Sequence, residues 1–358
     1  MDKFRVDNHK LHYHVGRVNS WLNGENIYPV YMEISPTGAC NHRCTFCGVD
    51  YLGYKPRSLE TSIVRERLAE LGALGLKSVM FCGEGEPLLH KDIAEMVESA
   101  KAAGIDVSMT TNGVLFKKGL AERILPHMEW IKFSVNAATN GTYMKVNGAK
   151  SGELETVINN ITAARKIKDD NTYKVTLGMQ MILLPENREE AVALARIARD
   201  TGADYLVVKP YSQHPQSGST VYKDVKYEDT ERLAEELAAL NGNGFSVIFR
   251  GNAMSKNSAN AGKAGRYQKC QALPFWSYLD SGGGVWGCLD FVGDGRFYYG
   301  SIYENSFRQI WEGEKRRKSL EWVANGFDLC QCRNNCRMDE VNRYLWDLKN
   351  PPPHVNFI

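Results

Sequence analysis

Three cysteines, Cys40, Cys44 and Cys47, sit in the stretch Ser35-Pro-Thr-Gly-Ala-Cys-Asn-His-Arg-Cys-Thr-Phe-Cys-Gly48, a CxxxCxxC spacing with Phe46 before the last thiol. Three thiolates on one short loop can each take one iron of a cubane [4Fe–4S] cluster, since soft sulfur ligands suit iron–sulfur chemistry. The loop has no fourth cysteine, so the fourth iron of such a cluster stays open to a small ligand. Structural zinc prefers paired knuckles and a closed four-ligand shell, which this triad does not supply. Inert core thiols would sit among apolar neighbours, whereas Asn41, His42, Arg43 and Thr45 are polar.

A second group, Cys270, Cys288, Cys330, Cys332 and Cys336, lies late in the chain. Five thiols can provide four ligands to a second cluster. Cys270, Cys288 and Cys336 are the first choices. Cys330 and Cys332 compete for the fourth place, because two ligands one residue apart strain a loop. Zinc is the rival here, since four of these cysteines could close a tetrahedron. The remaining Cys82 lies in an apolar strand and reads as a buried structural thiol.

The whole chain bounds these readings. Its 358 residues are 43% hydrophobic, enough for a full core and two domains. A net charge of +2 points to neither nucleic acid nor membrane as a partner. No apolar run reaches membrane-spanning length, and the N-terminus lacks the apolar core of a signal peptide. The chain therefore reads as cytoplasmic, where nine cysteines suggest metal binding or catalysis before disulfides.

Apolar runs and amphipathic stretches alternate after the first cysteine loop. The spacing predicts strands near residues 30–35, 77–82, 106–110, 130–135, 174–183, 205–209 and 245–249. Helices are predicted over 61–74, 93–103, 117–125, 154–168, 188–201 and 229–240. Repeated βα units favour a parallel sheet with helices outside. The unit count is about six, and a closed eight-unit barrel needs about 250 residues, so the expectation is an α/β fold built as a partial (β/α)6 barrel. Residues 1–28 form an N-terminal extension, 29–250 the barrel, 251–266 a polar linker, 267–340 a small cysteine-bearing domain with a β-hairpin, and 341–358 a proline-bearing tail expected to pack along the surface. In parallel β/α folds the chemistry gathers at the C-terminal strand ends. Those ends read Gly83-Glu-Gly-Glu-Pro87, Thr111-Asn-Gly113, Ser134-Val-Asn136, Gly178-Met-Gln180 running on to Ile182, and Lys209-Pro-Tyr-Ser-Gln-His214.

With its motif at the end of a first strand, the chain resembles the radical S-adenosylmethionine (radical SAM) enzymes, from Pro29 to about Met338. The resemblance implies that Cys40, Cys44 and Cys47 hold a [4Fe–4S] cluster whose open iron binds SAM. An electron from that cluster cleaves SAM, and the 5′-deoxyadenosyl radical takes a hydrogen atom from substrate. Gly83, Glu84, Gly85 and Glu86 resemble the family's GGEP stretch, with Glu84 interrupting the glycine pair. Phe46, Thr111, Asn112, Ser134, Asn136 and Gln180 are the other expected SAM contacts. The Cys270/Cys288/distal-cysteine pattern resembles the SPASM and Twitch extensions, and its cysteine count suits one auxiliary [4Fe–4S] cluster. The spare thiol, Cys332 in one reading, is structural or returns a hydrogen atom to a substrate radical. Lys209 and His214 are candidate catalytic residues, and Lys55, Arg57 and Tyr211 candidate substrate contacts.

The family further implies a flavodoxin- or ferredoxin-type reductant and a small-molecule substrate. Twitch-type relatives act on sugar-like compounds, so a sugar, aminocyclitol or nucleotide-sugar is the first expectation, with dehydrogenation or epimerisation as the outcome. A peptide-modifying enzyme and a non-catalytic iron–sulfur electron carrier are the alternatives.

Overall fold

The computed structural model describes residues 4, 8–258 and 267–357. Seven strands follow the predicted βα rhythm: β1 (Tyr31–Ile34), β2 (Ser78–Phe81), β3 (Asp106–Thr111), β4 (Met128–Ser134), β5 (Thr176–Leu183), β6 (Tyr205–Pro210) and β7 (Ser246–Phe249). They pair in sequence order and in parallel. Helices Thr61–Ala73, Ile93–Ala102, Lys118–Ile124, Glu153–Asp170, Ala191–Asp200 and Glu231–Ala238 connect them, close to their predicted bounds. The fold is thus the expected partial barrel.

Side-chain parity explains the layers. Along a strand successive residues face opposite sides. Met32, Ile34, Val79, Phe81, Val107, Met109, Ile131, Phe133, Leu177, Met179, Leu206 and Val208 face the helices and are almost wholly buried in one core. The alternate positions carry Glu33, Cys82, Thr110, Lys132, Ser134, Gln180 and Lys209, and these face the lumen. Parallel strands buried on both faces normally read as continuous apolar runs. This lumen breaks that rule because it encloses an open cavity rather than a packed core.

The cysteine-bearing C-terminal unit extends the same sheet. Its first strand, β8 (Trp276–Leu279), pairs in parallel with β1, and β9 (Gly284–Trp286) pairs antiparallel with both β8 and β10 (Tyr298–Ser301). The order β10-β9-β8-β1-β2-β3-β4-β5-β6-β7 makes one ten-stranded sheet. The hairpin predicted around Gly282–Gly284 is the β8–β9 turn. The unit keeps an apolar cluster of its own, built on Leu273, Tyr278, Trp286, Phe291 and Phe297.

Some helices escaped the sequence reading. Asn140–Asn147 is short and polar, yet it buries Tyr143 and Val146 and starts at a Thr139 side-chain cap. The expected linker begins as helix Gly251–Ser258, burying Ala253 and Met254, while its remainder lies outside the described residues. Asp339–Lys349 turns the start of the expected tail into a helix, with acids in its first turn and Lys349 in its last. Beyond it, residues 351–357 are exposed rather than packed along the domain. No described helix is long and apolar enough to cross a membrane.

Candidate functional site

The first cysteine loop is irregular, and backbone contacts to two other loops hold it. Arg43 N–H donates to Asn147 O (3.1 Å) and Thr45 N–H to Val146 O (2.9 Å), so the end of helix Asn140–Asn147 supports it from one side. That helix ends at Gly148 with φ 56°, where a Cβ would lie 2.4 Å from Arg43 O. From the other side Glu86 N–H donates to Ala39 O (2.8 Å). Gly85 passes so close that a Cβ would lie 2.1 Å from the same Ala39 O. Within the loop, the Arg43 guanidinium donates to the carbonyls of Cys40 and His42 (2.7 Å each) and lies over the Tyr54 ring. His42 is buried against Glu153, with Nε2 3.0 Å from Oε2.

Cys40, Cys44 and Cys47 are half-buried along one wall of a cavity of about 910 Å³. Burial pushes the Cys40 thiol up to about 11 and the Cys44 thiol well above its ordinary value. Burial also raises Cys47, against an opposing hydrogen bond from Tyr54. Iron binding must therefore displace protons from this loop, and the charge of the metal supplies the driving force.

The strand ends form the next part of the wall. Gly83, Gly85, Glu86, Thr111, Asn112, Ser134, Asn136, Gln180 and Phe46 line the same cavity. Glu86 organises them. Its buried carboxylate accepts from Thr111 Oγ1 (2.5 Å), Asn112 N–H (2.7 Å) and Leu88 N–H (3.1 Å). Burial raises its pKa and these donors pull it back. Asn112 Nδ2 reaches Asn41 Oδ1 (2.7 Å), tying the third strand end to the cysteine loop. Asn136 takes φ 65°, a conformation asparagine tolerates; its Oδ1 accepts from Ile182 N–H (2.9 Å) and its Nδ2 donates to Asn147 (3.0 Å).

Some expected ligand contacts have other partners. Glu84 does not line the cavity: its carboxylate accepts from Ser281 Oγ (2.7 Å) and from Arg57 Nη2 (3.3 Å). Arg57 is held there by Ser281 (2.8 Å) and Asp280 (3.8 Å). Lys55 is exposed and away from the cavity. His214 is buried behind Tyr51, whose ring stacks on it at 4.9 Å, and its Nε2 faces Asp290 at 3.4 Å. Lys209 and Tyr211 do line the cavity. So do Lys132, Arg250 and Arg333, which the sequence reading missed. The signal was present for Lys132, a lysine between the core residues Ile131 and Phe133. Cys82, read as structural, is also on this wall.

The second cysteine group resolves into four and one. Cys270, Cys288, Cys332 and Cys336 line one small inner pocket with Tyr267, Trp276 and Phe291. Cys330 is exposed, in a turn capped by Asp328, whose side chain accepts from Cys330 N–H (2.8 Å). Cys332 thus lies in the inner pocket and not on the main cavity wall. Cys288 and Cys336 border both spaces. An Arg337–Glu33 ion pair ties the last cysteine loop to β1.

Both donor sets fit an iron–sulfur group: three thiols on a wall open to a cavity, and four thiols enclosed by apolar side chains. Among the described residues no three His, Cys, Asp or Glu side chains meet as ligands of a single ion. A cubane takes one thiolate per iron, so its ligands stand further apart than that. Gly85→Ala tests the support of the first site. The clash is with backbone, which cannot swing aside, so the loop must shift. The expected result is loss of most iron from the N-terminal site, read by iron analysis of a variant that also lacks the C-terminal thiols.

Comparison with known proteins places these features. The family model "Radical SAM superfamily" matches residues 34–198, and the SPASM model, "Iron-sulfur cluster-binding domain", matches residues 270–337. GTP 3′,8-cyclase of Chlorobaculum tepidum is 27% identical over 214 residues, 58% of this chain and 61% of that protein. The probable GTP 3′,8-cyclase of Thermococcus kodakarensis is 32% identical over 210 residues, 58% and 66% of the two chains. The match thus spans about three fifths of the curated relatives' length. Streptococcus suis SuiB bound to S-adenosylmethionine superimposes with a TM-score of 0.63 at 18% identity, over 84% of this chain and 70% of that one. For anSMEcpe with bound AdoMet the values are 0.58, 16%, 90% and 95%. These two likenesses show a shared fold.

Proposed function

Because this chain is a radical SAM enzyme with a C-terminal SPASM/Twitch-like auxiliary iron–sulfur domain, we propose that it removes a hydrogen atom from a sugar, aminocyclitol or nucleotide-linked sugar held between its two cysteine groups. The observation that carries this reading is that one cavity is bordered both by Cys40, Cys44 and Cys47 and by Cys288 and Cys336. When bound, the N-terminal cluster with SAM supplies hydrogen-atom abstraction, and the auxiliary cluster supplies an electron acceptor. The chain's own contribution is position and exclusion of water. Glu86, Thr111 and Asn112 fix the strand ends against the cysteine loop, and Ser134 and Gln180 offer hydroxyl and amide groups beside them. Lys209 and Tyr211 face the substrate space.

The electron-accepting arrangement favours dehydrogenation. The curated relatives are named for action on GTP, which supports a nucleotide-bearing substrate. Epimerisation is a second reading, favoured by the Cys82 thiol on the cavity wall, which would give a hydrogen atom to the substrate radical and be restored from the resulting thiyl by an electron from the auxiliary cluster and a proton. A flavodoxin- or ferredoxin-type protein is the proposed reductant. The test is anaerobic incubation of reconstituted protein with SAM, dithionite and candidate sugar nucleotides in deuterated water. Formation of 5′-deoxyadenosine with a product poorer by two hydrogens is the expected result. Solvent deuterium at carbon would replace it with epimerisation. No 5′-deoxyadenosine under any condition overturns the catalytic reading in favour of a carrier.

A further inference from the structure

Two lysines in the lumen, Lys132 and Lys209, meet no carboxylate among the described residues. Lys132 on β4 and Lys209 on β6 both point inward by strand parity and line the cavity. In register, Lys132 lies beside Gly178 and Lys209 beside Ile182 of the intervening β5. The inward positions of β5 are therefore Thr176, Gly178, Gln180 and Ile182, and none carries charge. Arg250 follows β7 next to Lys209, its N–H on Val208 O (3.0 Å). Lys132, Lys209 and Arg250 lie near enough to repel one another, and Arg333 adds to the field at Lys209.

The acids on the cavity wall are engaged elsewhere. Glu86 is committed to Thr111, Asn112 and Leu88. Asp290 faces His214 and Arg333. Asp339 accepts from Tyr267 (3.0 Å) and pairs with Arg343, which also meets Glu340 (3.5 Å). Glu33, inward by strand parity but buried and off the cavity lining, is ion-paired with Arg337. No carboxylate acts on Lys132 or Lys209 among the described residues. Burial and like charge push Lys132 down to about 8 and Lys209 well below its ordinary value. Holding two ammonium groups together in a shielded lumen is costly unless an anion bridges them.

We propose that Lys132 and Lys209 seat a phosphate or diphosphate group carried by the substrate. Two ammoniums match the double charge of a phosphate group better than the single charge of a carboxylate, and lysine binds phosphate as a point charge. The two lysines flank the Ser134–Gln180 pair, so the anion anchors the substrate beside the strand ends and leaves its neutral part free to meet SAM. This inference rests on the proposed function only in taking the cavity as the substrate site.

The experiment measures binding of inorganic pyrophosphate and of inorganic phosphate to reconstituted holoenzyme by calorimetry, with SAM binding measured separately. Pyrophosphate is expected to bind the wild type, and Lys132→Met and Lys209→Met each to weaken it roughly tenfold or more. Lys132→Arg is expected to retain binding. A wild type that binds phosphate as tightly as pyrophosphate assigns a monophosphate handle; a tighter pyrophosphate assigns a diphosphate. No binding by the wild type, or equal binding by both methionine variants, overturns the proposal. SAM affinity falling in those variants while pyrophosphate binding stands also overturns it, by giving the lysines to the SAM carboxylate. Lysine acylation mapped by mass spectrometry provides a reading without mutation: pyrophosphate must protect Lys132 and Lys209, and unchanged labelling refutes the seat. Because these readouts are binding and labelling, they can fail while 5′-deoxyadenosine formation succeeds, and the reverse.

Discussion

Replacing Cys40, Cys44 and Cys47 together with alanine is expected to abolish 5′-deoxyadenosine formation while leaving about four irons per chain, one cubane's worth. The three thiols share one loop and one cavity wall. The four inner thiols, Cys270, Cys288, Cys332 and Cys336, are enclosed by a separate apolar cluster built on Leu273, Phe291 and Phe297. Nothing in the first loop is needed to hold that cluster together. The check is anaerobic reconstitution, iron and sulfide analysis, and product chromatography with SAM and dithionite. Iron content falling to zero would mean that the two cysteine groups do not act as separate sites. Cleavage of SAM surviving the triple replacement would remove the mechanism altogether.

Cys288→Ala is expected to separate the two halves of the reaction. The variant should still form 5′-deoxyadenosine in the absence of substrate, because the first loop and its Glu86 scaffold are untouched. Substrate turnover should fall on the order of a hundredfold or more, since an auxiliary cluster that loses one of four thiolates loses its closed ligand shell and its potential. Cys288 is the informative position because it borders both the inner pocket and the main cavity. Cys330→Ala is the control. It is exposed and does not line the inner pocket, so iron content and turnover should match the wild type. Unchanged turnover in Cys288→Ala would remove any role for the second cluster, and iron loss in Cys330→Ala would mean the ligand set has been drawn one residue out of place.

Much of this architecture is legible in the residues because its causes are local. The CxxxCxxC spacing restricts three thiols to one loop whatever surrounds it. The alternation of Ile131 and Phe133 with Trp130, Lys132 and Ser134 separates a helix-facing side from a lumen within a single strand, because strand parity is a property of the backbone. The strand-end motifs follow from the same logic, and Gly83, Gly85, Glu86, Thr111, Asn112, Ser134 and Gln180 do line one cavity. Helix Asn140–Asn147 was missed for an equally local reason: its Asn, Gly and Thr content favours turns, and only packing of Tyr143 and Val146 makes it a helix.

Long-range pairing settled the rest. Parallel registration of β8 with β1 carries the Asp280–Ser281 turn to the end of β2, where Ser281 and Arg57 take up the Glu84 carboxylate across 197 and 27 positions of chain. A carboxylate and a guanidinium that read as ligand contacts in the linear chain thereby become partners of each other. The same closure leaves Lys132 and Lys209, from strands far apart in sequence, facing one cavity with no carboxylate among the described residues to meet them. Spacing along a chain can say what a side chain is able to bind, but its competitors arrive from other strands, and which of them wins depends on distances that exist only after folding.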